Sequence, residues 1–154
     1  MIDVARRTTY DTLLSPIEIG TLTVPNRVAK APQDTHFVGP DGKVEERVLA
    51  LYEALARGGV GLIFLASVPP IPMAPEATQI AIWDDEFIPG LSEVVRCVQR
   101  HGSRIFVQLN HGGPAEVDHY PNGRAWAPST LEVEDLPSPP PHFKPVRGLS
   151  KDEI

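Results

Sequence analysis

Three short polar segments hold the residues able to do chemistry, and each stands at the end of an apolar stretch. Residues 31–36 read Ala-Pro-Gln-Asp-Thr-His, Ala66-Ser67 closes a second stretch, and residues 108–113 read Gln-Leu-Asn-His-Gly-Gly. Asp34 and His36 are two residues apart, so both can face one cavity. A carboxylate and an imidazole placed together exchange protons as acid and base, or hold a metal with further ligands; their spacing matches no metal motif. Gln108 interrupts the apolar run Ile105-Phe-Val-Gln-Leu. A strand interior buries its side chains, a buried amide needs partners, and an amide offers both donor and acceptor. That chemistry suits a planar heterocycle. His111, beside Gly112-Gly113, reads more readily as a loop histidine than as a ligand-facing base. Taken singly, each segment also has an ordinary explanation as a cap or turn. Neither GxGxxG nor GxxxxGK[ST] occurs, so no phosphate-cradling glycine loop is present in the sequence.

The elements that must position these segments follow from periodicity. Ile17, Ile19, Leu22 and Val24 alternate around Gly20 and predict a hairpin. Residues 27–32 read as a strand stopped by Pro32, which cannot donate to a central ladder. Val44, Val48, Leu51, Tyr52 and Leu55 fall on one face of a helix over residues 44–57, ended by Gly58-Gly59. Residues 60–68 are continuously apolar, as in a strand covered on both faces. Leu91, Val94, Val95 and Val98 predict a second helix over residues 88–101, and residues 104–109 a third buried strand. Residues 110–148 carry eight of the 17 prolines and form a long irregular stretch, with a short strand or turn expected near residues 125–128. Irregular loops of that length are often functional. Within it, residues 137–141 are proline-rich enough for a polyproline ligand, although a rigid loop crossing explains them as well.

Alternation of strand and helix with short connections means βαβ units, a parallel sheet and right-handed crossovers. Both a doubly wound open sheet and a (β/α)8 barrel satisfy it; the hairpin ahead of the first strand fits a lid at the bottom of a barrel. In either fold, ligands sit at the carboxyl ends of the strands, where the three polar segments fall.

Composition narrows the function classes. At 154 residues the chain has the length of one domain, and its net charge of −6 argues against a nucleic-acid partner. Its apolar runs are too short to span a bilayer, and Arg6-Arg7 is followed by no hydrophobic run of the kind a secretory signal needs; a cytoplasmic protein is expected. The single cysteine, Cys97, excludes an internal disulfide framework and reads as a small packing residue in a helix. Ser150-Lys-Asp-Glu153 is a capping box, which announces a helix just before Ile154. The expectation is therefore a partial domain over residues 1–154, the N-terminal part of a longer protein.

Taken together, the segments resemble the N-terminal part of the NADH:flavin oxidoreductase, or Old Yellow Enzyme, family, including its 2,4-dienoyl-CoA reductase-like and 2-enoate reductase-like members. The stretches that carry the resemblance are residues 14–20 with Asn26-Arg27 and Ala31-Pro32, residues 52–63, residues 83–91, His101-Gly102 with residues 108–113, and residues 127–129 with 148–154. They occur in family order along nearly the whole chain.

The resemblance implies the N-terminal part of a (β/α)8 TIM barrel, with an N-terminal hairpin and about three parallel strands. It implies FMN at the carboxyl rim and NADH or NADPH as reductant. The substrate would be a small-molecule activated alkene: an enone, enoate or enoyl thioester. Carried over by position, Ala31, Pro32, Gln33 and Asp34 line the flavin after the first strand, Ala66 approaches it after the second, and Gln108 bonds its pyrimidine from the third. His36 occupies a substrate-facing position in some members. The family's catalytic residues fall beyond Ile154, so none is assigned. Two residues depart from the pattern. Asp34 stands where the family usually has a small residue that tunes the flavin, and Pro114 where an arginine is common. Neither a metal nor a membrane is implied.

A second class of function is a catalytically inactive partial barrel acting as a binding or assembly subunit completed by another chain. Open sheet edges favour such association or a homo-oligomer. A hydrolase or lyase built on Asp34, His36 and His111 lacks a nucleophile elbow and is the weakest reading.

Overall fold

The computed structural model describes residues 10–74, 78–115, 117–120, 125–135, 137–138 and 144–153. Met1 to Thr9, Pro75, Pro139 to Pro141 and Ile154 lie outside the described residues, and with them part of the N-terminal and proline-run expectations.

A four-residue helix, α1 (Asp11–Leu14), leads into the hairpin of β1 (Ile17–Ile19) and β2 (Leu22–Val24). Ile19 faces Leu22 across a two-residue turn, and Gly20 takes φ +60°, where a side chain would be strained. Behind it, β3 (Ala29–Lys30), β4 (Leu62–Val68) and β5 (Arg104–Leu109) form a parallel sheet in that order. The crossovers are α2 (Glu46–Arg57) and α3 (Ile88–Gln99).

Both helices pack on the same face of the sheet. Val48, Tyr52 and Ala56 of α2 and Val94, Cys97 and Val98 of α3 are buried against Ile63, Leu65 and Val68 of β4. These are the periodic positions of the sequence, and their burial is the main source of stability. Cys97 is a packing residue: burial pushes its thiol pKa up, and Sγ lies 3.1 Å from the Val94 carbonyl.

The third strand departs from expectation. Residues 104–109 read as a buried strand, but Phe106, Val107, Gln108 and Leu109 are exposed. The cause is position. β5 is the sheet's edge, and opposite the helices Phe106 and Gln108 have no covering layer among the described residues. Side chains alternate along a strand, so Phe64 and Phe106 meet edge to face on that open side, centroids 5.8 Å apart.

Two local details shape the two ends of β4. Gly61 leads into β4 where a Cβ would come within 2.5 Å of the Asn26 side-chain oxygen, so only glycine fits. Asn26 itself ties the turns together, donating to the Gly59 carbonyl (2.8 Å) and accepting from Val28 N–H (3.0 Å). At the other end of β4, Leu65 pairs with Val107 but Val68 with Leu109. Ala66 and Ser67 therefore stand against the single Gln108. This is a β-bulge, a device that re-aims side chains, and Ser67 takes φ +53° within it.

The long irregular stretch contains its own small unit. β6 (Trp126–Ala127) pairs in parallel with β7 (Arg147–Gly148), and Leu131 bridges Val146. Tyr120, Ala125 and Val146 form a second small core. The capping box is half made. Glu153 reaches back to Ser150 N–H (2.9 Å) as expected, but Ser150 Oγ donates to the Glu153 carboxylate instead of accepting an amide. The turn it opens, Lys151–Glu153, is a 3-10 helix.

Candidate functional site

The carboxyl ends of β3, β4 and β5 bring the three polar segments to one rim. Ala31, Pro32 and Gln33 are exposed there, Ala66 is buried, and Gln108 projects from the edge strand. Gln108 shares the uncovered face with Phe64 and Phe106 by alternation, and its amide forms no hydrogen bond among the described residues. The expectation of a buried amide is corrected: Gln108 is open to solvent because, among the described residues, nothing covers its face of β5.

Asp34 does not stand as a free carboxylate beside His36. Its Oδ2 accepts from Gln79 Nε2 at 2.7 Å, and its Oδ1 accepts from the His36 backbone N–H at 3.2 Å. The His36 ring sits 3.9 Å from Oδ1, exposed, and pairs instead with the Thr78 hydroxyl at 2.9 Å. Gln79 Nε2 also donates to Ser67 Oγ at 3.1 Å. Beneath them lies Tyr52 of α2. Its hydroxyl pKa is raised, chiefly by burial and further by the Asp34 charge, while the Ala66 backbone amide draws it back. Lys30 lies 5.9 Å above the Tyr52 ring, and partial burial lowers its pKa.

This cluster concentrates backbone strain. Among the described residues, the non-glycine positions with positive φ are His36 (+51°), Ser67 (+53°) and Thr78 (+46°). They come from three separate segments and meet through the Gln79 and His36 side chains. Such strain persists only where surrounding contacts over-determine it, and it clusters at functional sites.

Sequence reasoning placed Asp34, His36, Ala66 and Ser67 at the rim and missed Gln79 and Thr78, the residues that join them. Gln79 and Thr78 sit in a proline-rich loop with no periodicity, so nothing local marked them. The strain at Ser67 arises from the bulge, which is a property of pairing.

His111 belongs to a different setting. Its ring stacks on Tyr120 (centroids 4.4 Å, 7° between planes) and lies 6.0 Å from Trp126. Tyr120 in turn accepts from Gly112 N–H at 2.7 Å. His111 and Trp126 wall a cavity of about 730 Å³, shared with Ile71, Leu149 and the Arg147–Glu153 pair. That pair is bidentate (2.9 and 2.7 Å), and it holds the Glu153 carboxyl down at about 2.

The rim residues suit one edge of a flat heterocycle. Ala31 and Ala66 add no bulk, and Gln108 offers donor and acceptor together. Asp34 is compatible because both its oxygens already accept from the protein. The chemistry of this rim is compatible with a flat heterocycle such as that of FMN.

Residues 12–154 match the model of the NADH:flavin oxidoreductase / NADH oxidase family. Over 150 residues the chain is 34% identical to an NADH oxidase of Thermoanaerobacter brockii, covering 96% of this chain and 22% of that protein. It is 32% identical over 131 residues to an NADPH dehydrogenase of Bacillus subtilis, covering 83% of this chain and 38% of that one. The chain thus spans well under half the length of either relative. Among solved structures, morphinone reductase in complex with tetrahydroNAD superposes with TM-score 0.72 at 29% identity, over 92% of this chain and 41% of that chain. A 2-naphthoyl-CoA reductase complex superposes at 0.77 and 20% identity, over 94% of this chain and 23% of that chain, a likeness of fold alone. The fold is the N-terminal part of a (β/α)8 barrel, and the implied cofactor is FMN with NADH or NADPH as reductant. The chain belongs to the NADH:flavin oxidoreductase / NADH oxidase family.

Proposed function

We propose that residues 1–154 supply one part of the flavin site of an FMN-dependent NAD(P)H oxidoreductase that reduces an activated carbon–carbon double bond. The observation that carries this reading is the rim itself: small residues after β3 and β4, and at the end of β5 an amide that, among the described residues, is unpaired and on a sheet face no helix covers. When bound, FMN supplies hydride chemistry, taking the hydride from the nicotinamide and passing it to the electron-poor alkene. The chain's own residues bind and orient. Gln108 would hydrogen-bond the ring edge, Ala31 and Ala66 would let it approach the backbone, and His36, exposed at the same rim, would face substrate. Enones, enoates and enoyl thioesters share the polarised double bond this chemistry needs.

The test is whether purified protein carries flavin. Yellow absorbance that Gln108→Leu diminishes supports the reading; a protein that stays colourless with excess FMN, both as this chain and with the rest of a barrel supplied, overturns it.

The exposed edge and open face of β5 favour a second reading, in which this chain is an assembly subunit that a partner completes. Colour that appears only on adding a partner chain, without alkene reduction, would favour it.

A further inference from the structure

Gln79 was singled out by no feature of the sequence, yet it is the hub of the rim cluster. Its side chain is 8% exposed, and its Nε2 reaches Asp34 Oδ2 at 2.7 Å and Ser67 Oγ at 3.1 Å. Its Oε1 is buried and finds no partner among the described residues. An unmatched buried acceptor is costly, so the amide would be expected to turn if turning helped. It cannot, because the flipped amide would set Oε1 against the Asp34 carboxylate. The orientation is therefore dictated by Asp34.

We propose that Gln79 is a positioning residue of the flavin site, which holds the Asp34 carboxylate against the bulged second strand and so governs how much of its negative charge a bound flavin meets. The inference rests on the flavin reading above. Two features make the arrangement specific. Ser67 presents its hydroxyl to Gln79 only because the bulge places it at φ +53°. Asp34 is fixed at both ends, by Gln79 at Oδ2 and by His36 N–H at Oδ1. A carboxylate free to swing toward the ring would disfavour the reduced, anionic flavin by like-charge repulsion, and charge beside the ring is a protein's means of tuning it. Gln79 thus lets an acidic residue occupy this position without that penalty.

The experiment has two arms. In the flavin-free protein, the Gln79 side-chain amide is followed by NMR in the unaltered chain and in Asp34→Asn. A marked shift of that amide in D34N is expected; an amide indifferent to D34N overturns the proposal, whether or not the protein takes up flavin. In the flavin-loaded protein, the ratio of oxidised to reduced flavin is read at a fixed potential. Gln79→Leu is expected to move it about tenfold toward oxidised, about 30 mV for a two-electron couple. Adding D34N to Q79L is expected to restore it, whereas D34N alone moves it less than about threefold, the non-additivity that marks coupled residues. Equal effects of D34N with and without Gln79 overturn the proposal. A protein that passes the first arm and never takes up flavin sinks the flavin reading instead, and with it the role assigned to Gln79.

Discussion

At the scale of single residues, two side chains make opposite use of hydrogen bonding. Gln108 has an unsatisfied amide in the open; Glu153 has a carboxylate fully engaged. If Gln108 bonds the flavin edge, Gln108→Leu removes one or two hydrogen bonds, about 1 kcal/mol or so each. FMN affinity, read by fluorescence titration, should fall roughly tenfold. For Glu153 the sign follows from its depressed pKa, about 2 against a usual 4.5, set first by Arg147 and then by Ser150. A depressed carboxylate contributes most above its unfolded pKa, and that contribution is lost as pH falls toward the folded value. The Ser150 amide resonance of the folded protein should therefore stay constant well below pH 4.5 and drift only as pH falls close to about 2. In Arg147→Ala the drift should begin at higher pH. The sequence exposed the Ser150–Glu153 pair through its spacing. It could not expose Arg147 as the partner, because that contact depends on where β7 ends.

At the scale of elements, legibility tracked covering. Both helices and β4 were readable because their apolar periods answer to one buried interface. Ile63 is fully buried at its centre, and Ile63→Ala should cost about 2–5 kcal/mol in denaturant unfolding. β5 misled for the same physical reason in reverse: apolar residues promise burial only where something exists to bury them. The Arg27-to-Pro32 strand likewise shrank to Ala29–Lys30, since Pro32 and the polar residues after it give the ladder nothing to extend. Close approach of backbones was invisible in the sequence. Gly61→Ala would drive a methyl to within 2.5 Å of the Asn26 side-chain oxygen, and should lower stability by about 1–3 kcal/mol. Gly58, at the end of α2, has ordinary helical φ, so the neighbouring alanine substitution there should cost distinctly less.

At the scale of the whole molecule, the outstanding property is asymmetry. One face of the parallel sheet is sealed by two helices; the other presents Phe64, Phe106 and Gln108. Val107 and Leu109 add exposed apolar surface along the β5 edge. A ligand needs that open face, and so does any chain that pairs with the edge. Self-association is therefore expected to rise with concentration in sedimentation velocity, and Val107→Lys should suppress it by placing charge on the edge. A protein that stays monomeric at high concentration would show that the edge is shielded in solution. The family and the barrel order were legible from dispersed motifs in sequence. How the rim residues partner one another was not, because Asp34, Ser67 and Gln79 come from three segments that only the fold brings together.

The short pairing of β6 with β7 has a consequence for how this family can vary. Trp126–Ala127 and Arg147–Gly148 lie side by side, with Gly148 so close to Thr130 N that a methyl group would not fit. The ends of the excursion are thus held side by side, and within it Leu131 and Val146 pack on the small core of Tyr120 and Ala125. Lengthening a chain segment whose ends are already fixed costs little, because closure entropy grows only with the logarithm of length. Extra residues inserted after Ser138, which is exposed, should leave the melting temperature nearly unchanged, while the same insertion between Ala127 and Pro128 should not. The tolerance belongs to the chain at the exposed Ser138, and not to the paired ends that anchor it.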